Sequence, residues 1–235
     1  MRLGGLVVAA AIIAAAGHTL ATELPLLPGI RDTDGRVVVD PNAAPWNAVV
    51  KVQTNIGTRC TGTLVGPATV LTAAHCLYNR RTRAPLQPVS LHVLLGYQRG
   101  KFRWHRLVSR YTVGPGFDGE AKPPQTSDWA RLELTEPVPD AVAPLPIAAE
   151  PATSGLSIAL AGYNQDRAQL LMADADCHIG IVTRRPGGTL LLHDCSATRG
   201  TSGGPLLTRE NGGWAVVGLN IGAGELANIA LAVPR

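Results

Sequence analysis

An all-β fold of two six-stranded Greek-key barrels is what this sequence predicts, and three observations predict it. Short apolar or alternating runs recur along the chain, each bounded by Gly, Pro or Asn, as in strands joined by turns. The 235 residues include 26 glycines and 18 prolines, a high content for a helical protein. Beyond the N-terminus no amphipathic pattern reaches the roughly ten residues a helix needs. Hydrophobic residues make up 46% and charged residues 16% of the chain, which fits a packed core and excludes a disordered segment.

Taken in order, the chain opens with a basic Met1-Arg2, then a charge-free apolar run at 3–16, then Thr19-Leu20-Ala21 with small residues at its first and third places. This reads as a secretory signal peptide over residues 1–21. The alternative is a membrane anchor, but a spanning helix needs about 20 apolar residues. Residues 22–36 hold two prolines and two glycines without periodicity. They are either a short propeptide, with Arg36 before Val37-Val38-Val39 as a processing site, or an ordered N-terminal arm; both readings stay open. Residues 37–140 read as the first barrel, with strands at 48–53, 62–65, 69–72, 90–97, 103–111 and 129–134. A proline-rich stretch at 137–151 joins the halves. Residues 141–235 read as the second barrel, with strands at 157–161, 170–183, 189–194, 205–207, 215–221 and 228–233. No internal sequence repeat is visible. The formal net charge is +4, of which residues 1–21 carry only Arg2. So mild a balance, with no accompanying motif, gives no reason to expect nucleic acid. Four cysteines fit two disulfides in an exported chain.

Three segments carry chemistry. Gly200-Thr201-Ser202-Gly203-Gly204-Pro205 presents a hydroxyl on a glycine-rich loop, where backbone N–H groups can turn toward a reacting carbonyl. A serine alone is a poor nucleophile and needs a base and a group that orients the base. Thr72-Ala73-Ala74-His75-Cys76 and Ser127-Asp128-Trp129-Ala130-Arg131-Leu132 offer both. His75 suits general base and acid work because its pKa lies near neutrality. Asp118, in Gly116-Phe117-Asp118-Gly119, is the rival acid, but its context is that of a turn. His18 falls in the signal peptide. His92, His105, His178 and His193 read as structural, and no pair shows metal-ligand spacing.

The order His75, Asp128, Ser202, at separations of 53 and 74 residues, resembles the chymotrypsin-like serine endopeptidases. The resemblance covers most of the chain from residue 37 to residue 233. It implies an active site in the cleft between the barrels, an oxyanion hole from the backbone N–H groups of Gly200 and Ser202, and a Cys60–Cys76 disulfide. Cys177 and Cys195 are then left for a second bridge, with their pairing open. Arg36-Val37-Val38-Val39-Asp40 with Pro45-Trp46, the Asp128-Trp129-Ala130 strand and Thr201 are closest to the bacterial glutamyl-endopeptidase-like branch. Trypsins carry an aspartate in the place of Thr201 that binds a newly cut N-terminus; an uncharged threonine removes that ion pair. The specificity pocket is expected from Ser196, Arg199, Asn220, Gly222 and Ala223. Ser196 stands where trypsins hold a carboxylate, and Asn220 where Glu-specific relatives hold a histidine.

The expected function is that of a secreted or periplasmic monomer hydrolysing protein or peptide substrates without cofactor or metal. A non-catalytic homologue acting as a secreted binding protein is the alternative. A chaperone-protease of the high-temperature-requirement type would carry a further peptide-binding domain.

Overall fold

The computed structural model describes residues 27–233 apart from 32 and 225. The predicted signal peptide and residues 22–26 lie outside the described residues. Strand β1 (Val37–Val38) is followed by β2 (Val49–Thr54), β3 (Arg59–Gly66) and β4 (Thr69–Thr72). β5 (Tyr78–Asn79) and β6 (Ala84–Pro85) form a separate ribbon. β7 (Leu91–Leu95), β8 (Trp104–Val113) and β9 (Ala130–Leu134) complete a closed barrel in the order β2-β3-β4-β9-β8-β7. The second half contains β10 (Ser157–Gly162), β11 (Met172–Arg185), β12 (Gly188–His193), β13 (Pro205–Glu210), β14 (Gly213–Gly222) and β15 (Asn228–Ala232). These close as β10-β11-β12-β15-β14-β13, through the β11–β12 pairing, with β1 added on the outer edge of β11. Numbered within each barrel, both rings run 1-2-3-6-5-4. A topological repeat is therefore present where no sequence repeat can be read.

The residue pattern accounts for these elements. In β9, Ala130, Leu132 and Leu134 are buried while Arg131 and Glu133 point outward, the period of two that a one-sided strand requires. β2 breaks that pattern and is buried on both faces. Val50 and Val52 enter the first core, whereas Val49 packs with Ala161, Tyr163 and Leu171 of the other half. Lys51 is caught in the same seam at 1% exposure. Its Nζ donates to the carbonyl of Ala168 at 2.8 Å and sits 3.8 Å from the Tyr97 ring centroid. Burial, aided by the charge of Arg59, pushes its pKa down to about 8.

All twelve predicted barrel strands are present, with ends shifted by a few residues. β13 runs three residues beyond its predicted end: the apolar run stops at Leu207, but Thr208, Arg209 and Glu210 stay paired with β14. An Asn211-Gly212 pair, the usual two-residue hairpin turn, carries the pairing on into β14. Helical structure among the described residues is limited to 3-10 turns at Trp46–Ala48, Ala74–Leu77, Pro88–Ser90 and Gln165–Arg167. Disulfides join Cys60 to Cys76 and Cys177 to Cys195.

His193, at the end of β12, is 1% exposed. Its Nε2–H donates to Asn220 Oδ1 at 3.1 Å, and its Nδ1 has no partner among the described residues. Burial holds its pKa down to about 4, so the folded protein keeps it neutral. An unfolded histidine takes up a proton near pH 6.5, so between about 6.5 and 4 the unfolded chain binds more protons than the folded one. Stability therefore falls as pH drops through that window, by on the order of 3 kcal/mol at about 1.4 kcal/mol per pKa unit. Urea midpoints at pH 7, 5.5 and 4.5 measure this. His193→Gln, which can still donate to Asn220 but does not titrate, should show a flatter profile, and an equally steep one would refute the assignment.

Candidate active site

His75 lies in the 3-10 turn Ala74–Leu77 that follows β4. Asp128 lies just before β9, the strand paired with β4, at 3% exposure. One carboxylate oxygen of Asp128 accepts the backbone N–H of His75 at 2.8 Å, and the other accepts Nδ1–H at 2.7 Å. Two bonds from one carboxylate fix both the turn and the ring, and they leave the Nε2 lone pair for the cleft. Asp118 does not compete. It is exposed in a turn, where its carboxylate caps the N–H of Glu120 at 2.9 Å.

Ser202 faces the same cleft as His75, a cavity of about 780 Å³ between the barrels. Its Oγ makes no hydrogen bond among the described residues, in keeping with catalytic pairs that tighten only on substrate. The backbone around it is bonded selectively. Thr201 N–H donates to Thr198 O, Gly203 N–H to Asn220 O and Gly204 N–H to Thr201 O. The N–H groups of Gly200 and Ser202 donate to no acceptor among the described residues. The carbonyl of Arg199 is turned away to accept Gln165 N–H at 2.6 Å, and in a planar peptide the N–H of Gly200 then points the opposite way. Gly200 has φ +93°, and a Cβ there would stand 2.4 Å from Tyr163 O.

Two residues that sequence patterns do not single out hold this loop. Thr61 of β3 is fully buried and donates its N–H to Ser202 O at 2.8 Å. Its Oγ1 donates to Gly200 O and accepts Tyr163 N–H, both at 2.9 Å. Asn164 Oδ1 accepts Thr198 N–H and the hydroxyl of Thr201, both at 2.9 Å. Thr201 is thus held at 1% exposure by neutral bonds alone. A one-line sequence shows a threonine in a strand and an asparagine after a tyrosine; only folding turns them onto the serine loop.

Arg199, Asn220, Gly222 and Ala223 line the cleft with His75 and Ser202. Ser196, expected among them, stands behind the wall. Its N–H donates to Asp174 Oδ2 at 2.7 Å, and its hydroxyl is turned outward to Thr33 O at 3.3 Å. Asn220 gives its Oδ1 to His193, so the amide NH2 is what it offers to the cleft. The segment before β1 braces this wall from outside. Gly29 O accepts Ala197 N–H and Asn228 Nδ2–H, both at 2.9 Å. Arg36, 6% exposed, bonds Asp34 and Asp166, and Asp166 accepts the Thr198 hydroxyl at 2.8 Å. The guanidinium holds the Asp34 carboxyl below the usual range. Burial works against Asp166, but bonds from Arg36 and Thr198 lower it as well.

Two clusters of potential metal ligands occur among the described residues, Cys60-His75-Cys76 and Cys177-Asp194-Cys195. Their sulfurs are tied up in disulfides and offer no thiolate, so neither fits a metal.

The sequence model of the trypsin family matches residues 34–232. Glutamyl endopeptidase from Bacillus licheniformis is 30% identical over 115 residues, a match spanning 48% of this chain and 34% of that relative's length. A solved structure of Glu endopeptidase in complex with MPD superposes with a TM-score of 0.71 at 23% identity. That superposition covers 87% of this chain and 93% of the other, and it shows a shared fold.

Thr61→Val keeps the shape but removes one donor and one acceptor from a dry site. The carbonyl of Gly200 and the N–H of Tyr163 are then left without partners, at about 1–3 kcal/mol each. A loss of about 2–6 kcal/mol in unfolding free energy by urea titration is expected, and an unchanged midpoint would show that the loop is held some other way.

Proposed function

The chain belongs to the trypsin family, and from that premise we propose that it is a secreted serine endopeptidase cutting peptide bonds in protein substrates through Ser202, His75 and Asp128. One observation carries the reading. The Asp128 carboxylate grips both the backbone N–H and the Nδ1–H of His75, in a cleft shared with Ser202 and two N–H groups that have no acceptor among the described residues.

The chemistry follows from that placement. His75 Nε2 takes the Ser202 proton as Oγ bonds to the scissile carbonyl carbon, and the carbonyl oxygen becomes an oxyanion. The N–H groups of Gly200 and Ser202 receive that oxygen, each contributing about 3–4 kcal/mol to the transition state. The imidazolium, stabilised by Asp128, gives its proton to the leaving nitrogen, the C–N bond breaks, and an acyl-enzyme remains. Water, deprotonated by His75, then attacks the ester and frees Ser202. The two disulfides support an oxidising destination, and residues 1–21 supply the export signal.

The pocket reading argues against cleavage after Lys or Arg. Among the described residues no aspartate or glutamate lines the cleft, and Asn220 turns a hydrogen-bond donor into it. Peptides that differ only at the residue before the cut test this, and strong cleavage after Lys or Arg would overturn it.

Reaction of the full chain, expressed with export, with a fluorophosphonate probe tests the triad. A single adduct on Ser202 is expected, absent in Ser202→Ala and slowed by about 10²–10⁴-fold in His75→Ala. Intact mass of the same sample locates the mature N-terminus. A folded, disulfide-bonded protein that takes no label would point to the non-catalytic binding protein instead.

A further inference from the structure

The cleft that holds His75 and Ser202 is lined by Arg59, Arg80, Arg81 and Arg199. None of the four has a carboxylate partner among the described residues, whereas Arg36, Arg83, Arg106 and Arg167 all do. Two described acids of the neighbouring loop are already engaged. Glu120 pairs with Arg83 at 3.5 Å, and Asp118 caps its own turn.

Three of these cations line the cleft from the first-barrel half of the chain. Arg59 opens β3 beside Cys60, and the disulfide to Cys76 ties it to the turn that carries His75. Arg80 and Arg81 lie between β5 and β6. That turn is fixed by Asn79 Oδ1, which accepts the N–H groups of Arg81 at 3.0 Å and Thr82 at 3.4 Å. All three arginines are exposed, and like charges lining one cleft without a counter-charge among the described residues favour an anionic guest.

The chemistry assigns a direction to this patch. The acyl half of a substrate lies against the second-barrel wall at 220–223. The leaving half departs on the side of His75, because His75 must protonate its nitrogen. That side is built by Arg59, Arg80 and Arg81. We propose that Arg59, Arg80 and Arg81 bind acidic side chains on the leaving-group side of the scissile bond, so that segments rich in Asp and Glu just after the cut are the preferred substrates. The proposal rests on the endopeptidase reading and adds to it a substrate class.

Cleavage of a proteome-derived peptide library, made by cutting at aromatic residues and read by mass spectrometry, tests it whatever residue the enzyme prefers before the cut. In the wild-type protein, Asp and Glu should exceed Lys and Arg at the first three positions after the cut by about fivefold or more, as expected for several exposed charge pairs. The excess should shrink at high salt, since the screening length falls from about 10 Å at 0.1 M to about 3 Å at 1 M. In Arg59→Gln/Arg80→Gln/Arg81→Gln the ratio should approach one, and because the ratio is internal to each enzyme, a change in overall rate does not affect it. Cuts with no acidic excess, a basic excess, or an excess that survives in the triple variant would each overturn the binding site while leaving the endopeptidase standing. No cuts at all would overturn the endopeptidase reading, and the binding site with it.

Discussion

Thr61 belongs to the first barrel, but its N–H and its hydroxyl bond to the second. Its N–H and hydroxyl reach Ser202 O and Gly200 O, its hydroxyl also accepts Tyr163 N–H, and its own carbonyl accepts the Thr72 hydroxyl at 2.7 Å. His75 and Asp128 stand on one barrel and Ser202 on the other. Their relative position is therefore only as firm as the seam, and Thr61 is the seam's polar stitch. Gly203 shows how close the barrels come there: a Cβ on it would lie 2.1 Å from Thr61 O. The apolar part of the same seam, Val49 against Ala161, Tyr163 and Leu171, supplies the non-directional attraction. The hydrogen bonds supply the register.

The serine loop is held from both sides. Thr61 reaches it from the first barrel, and Asn164 with the residues before β1 reaches it from the second. Asn164 gathers Thr198 and Thr201 without any charge. The charged part of the brace is a buried Arg36 between Asp34 and Asp166, whose side chains are about a quarter exposed. Bonds to two carboxylates offset the desolvation of the buried guanidinium, and the carboxylates themselves keep part of their hydration. The lowered carboxyls of Asp34 and Asp166 mean that this brace is intact above the ordinary aspartate range and weakens only as pH falls below it.

Neutral and charged features are separated in the cleft as well. The wall at 220–223 presents an amide and small residues to the cleft, whereas the first-barrel rim is cationic. His193 helps keep the wall neutral. Held below its usual pKa by burial, it remains a donor to Asn220 Oδ1 and does not place a charge behind the pocket.

What the sequence by itself determined is local and periodic. Alternation in segments such as 130–134 marks strands because side chains on a strand alternate between core and water. The short motifs around His75, Asp128 and Ser202 announce their chemistry because each needs particular neighbours along the chain. The twelve barrel strands and the three motifs were legible on those grounds. What only the tertiary structure decided is non-local. Lys51 looks like an outward-facing residue of a strand until the second barrel covers it. Ser196 looks like a pocket residue until Asp174 takes its N–H and Thr33 its hydroxyl. Thr61, Asn164 and the partner of His193 acquire their roles only across separations of dozens to more than a hundred residues, where nothing in the local pattern reports the contact. Periodicity records which face of an element is buried, but not which distant backbone group a buried hydroxyl or amide will satisfy, since any acceptor at the right distance serves the same need.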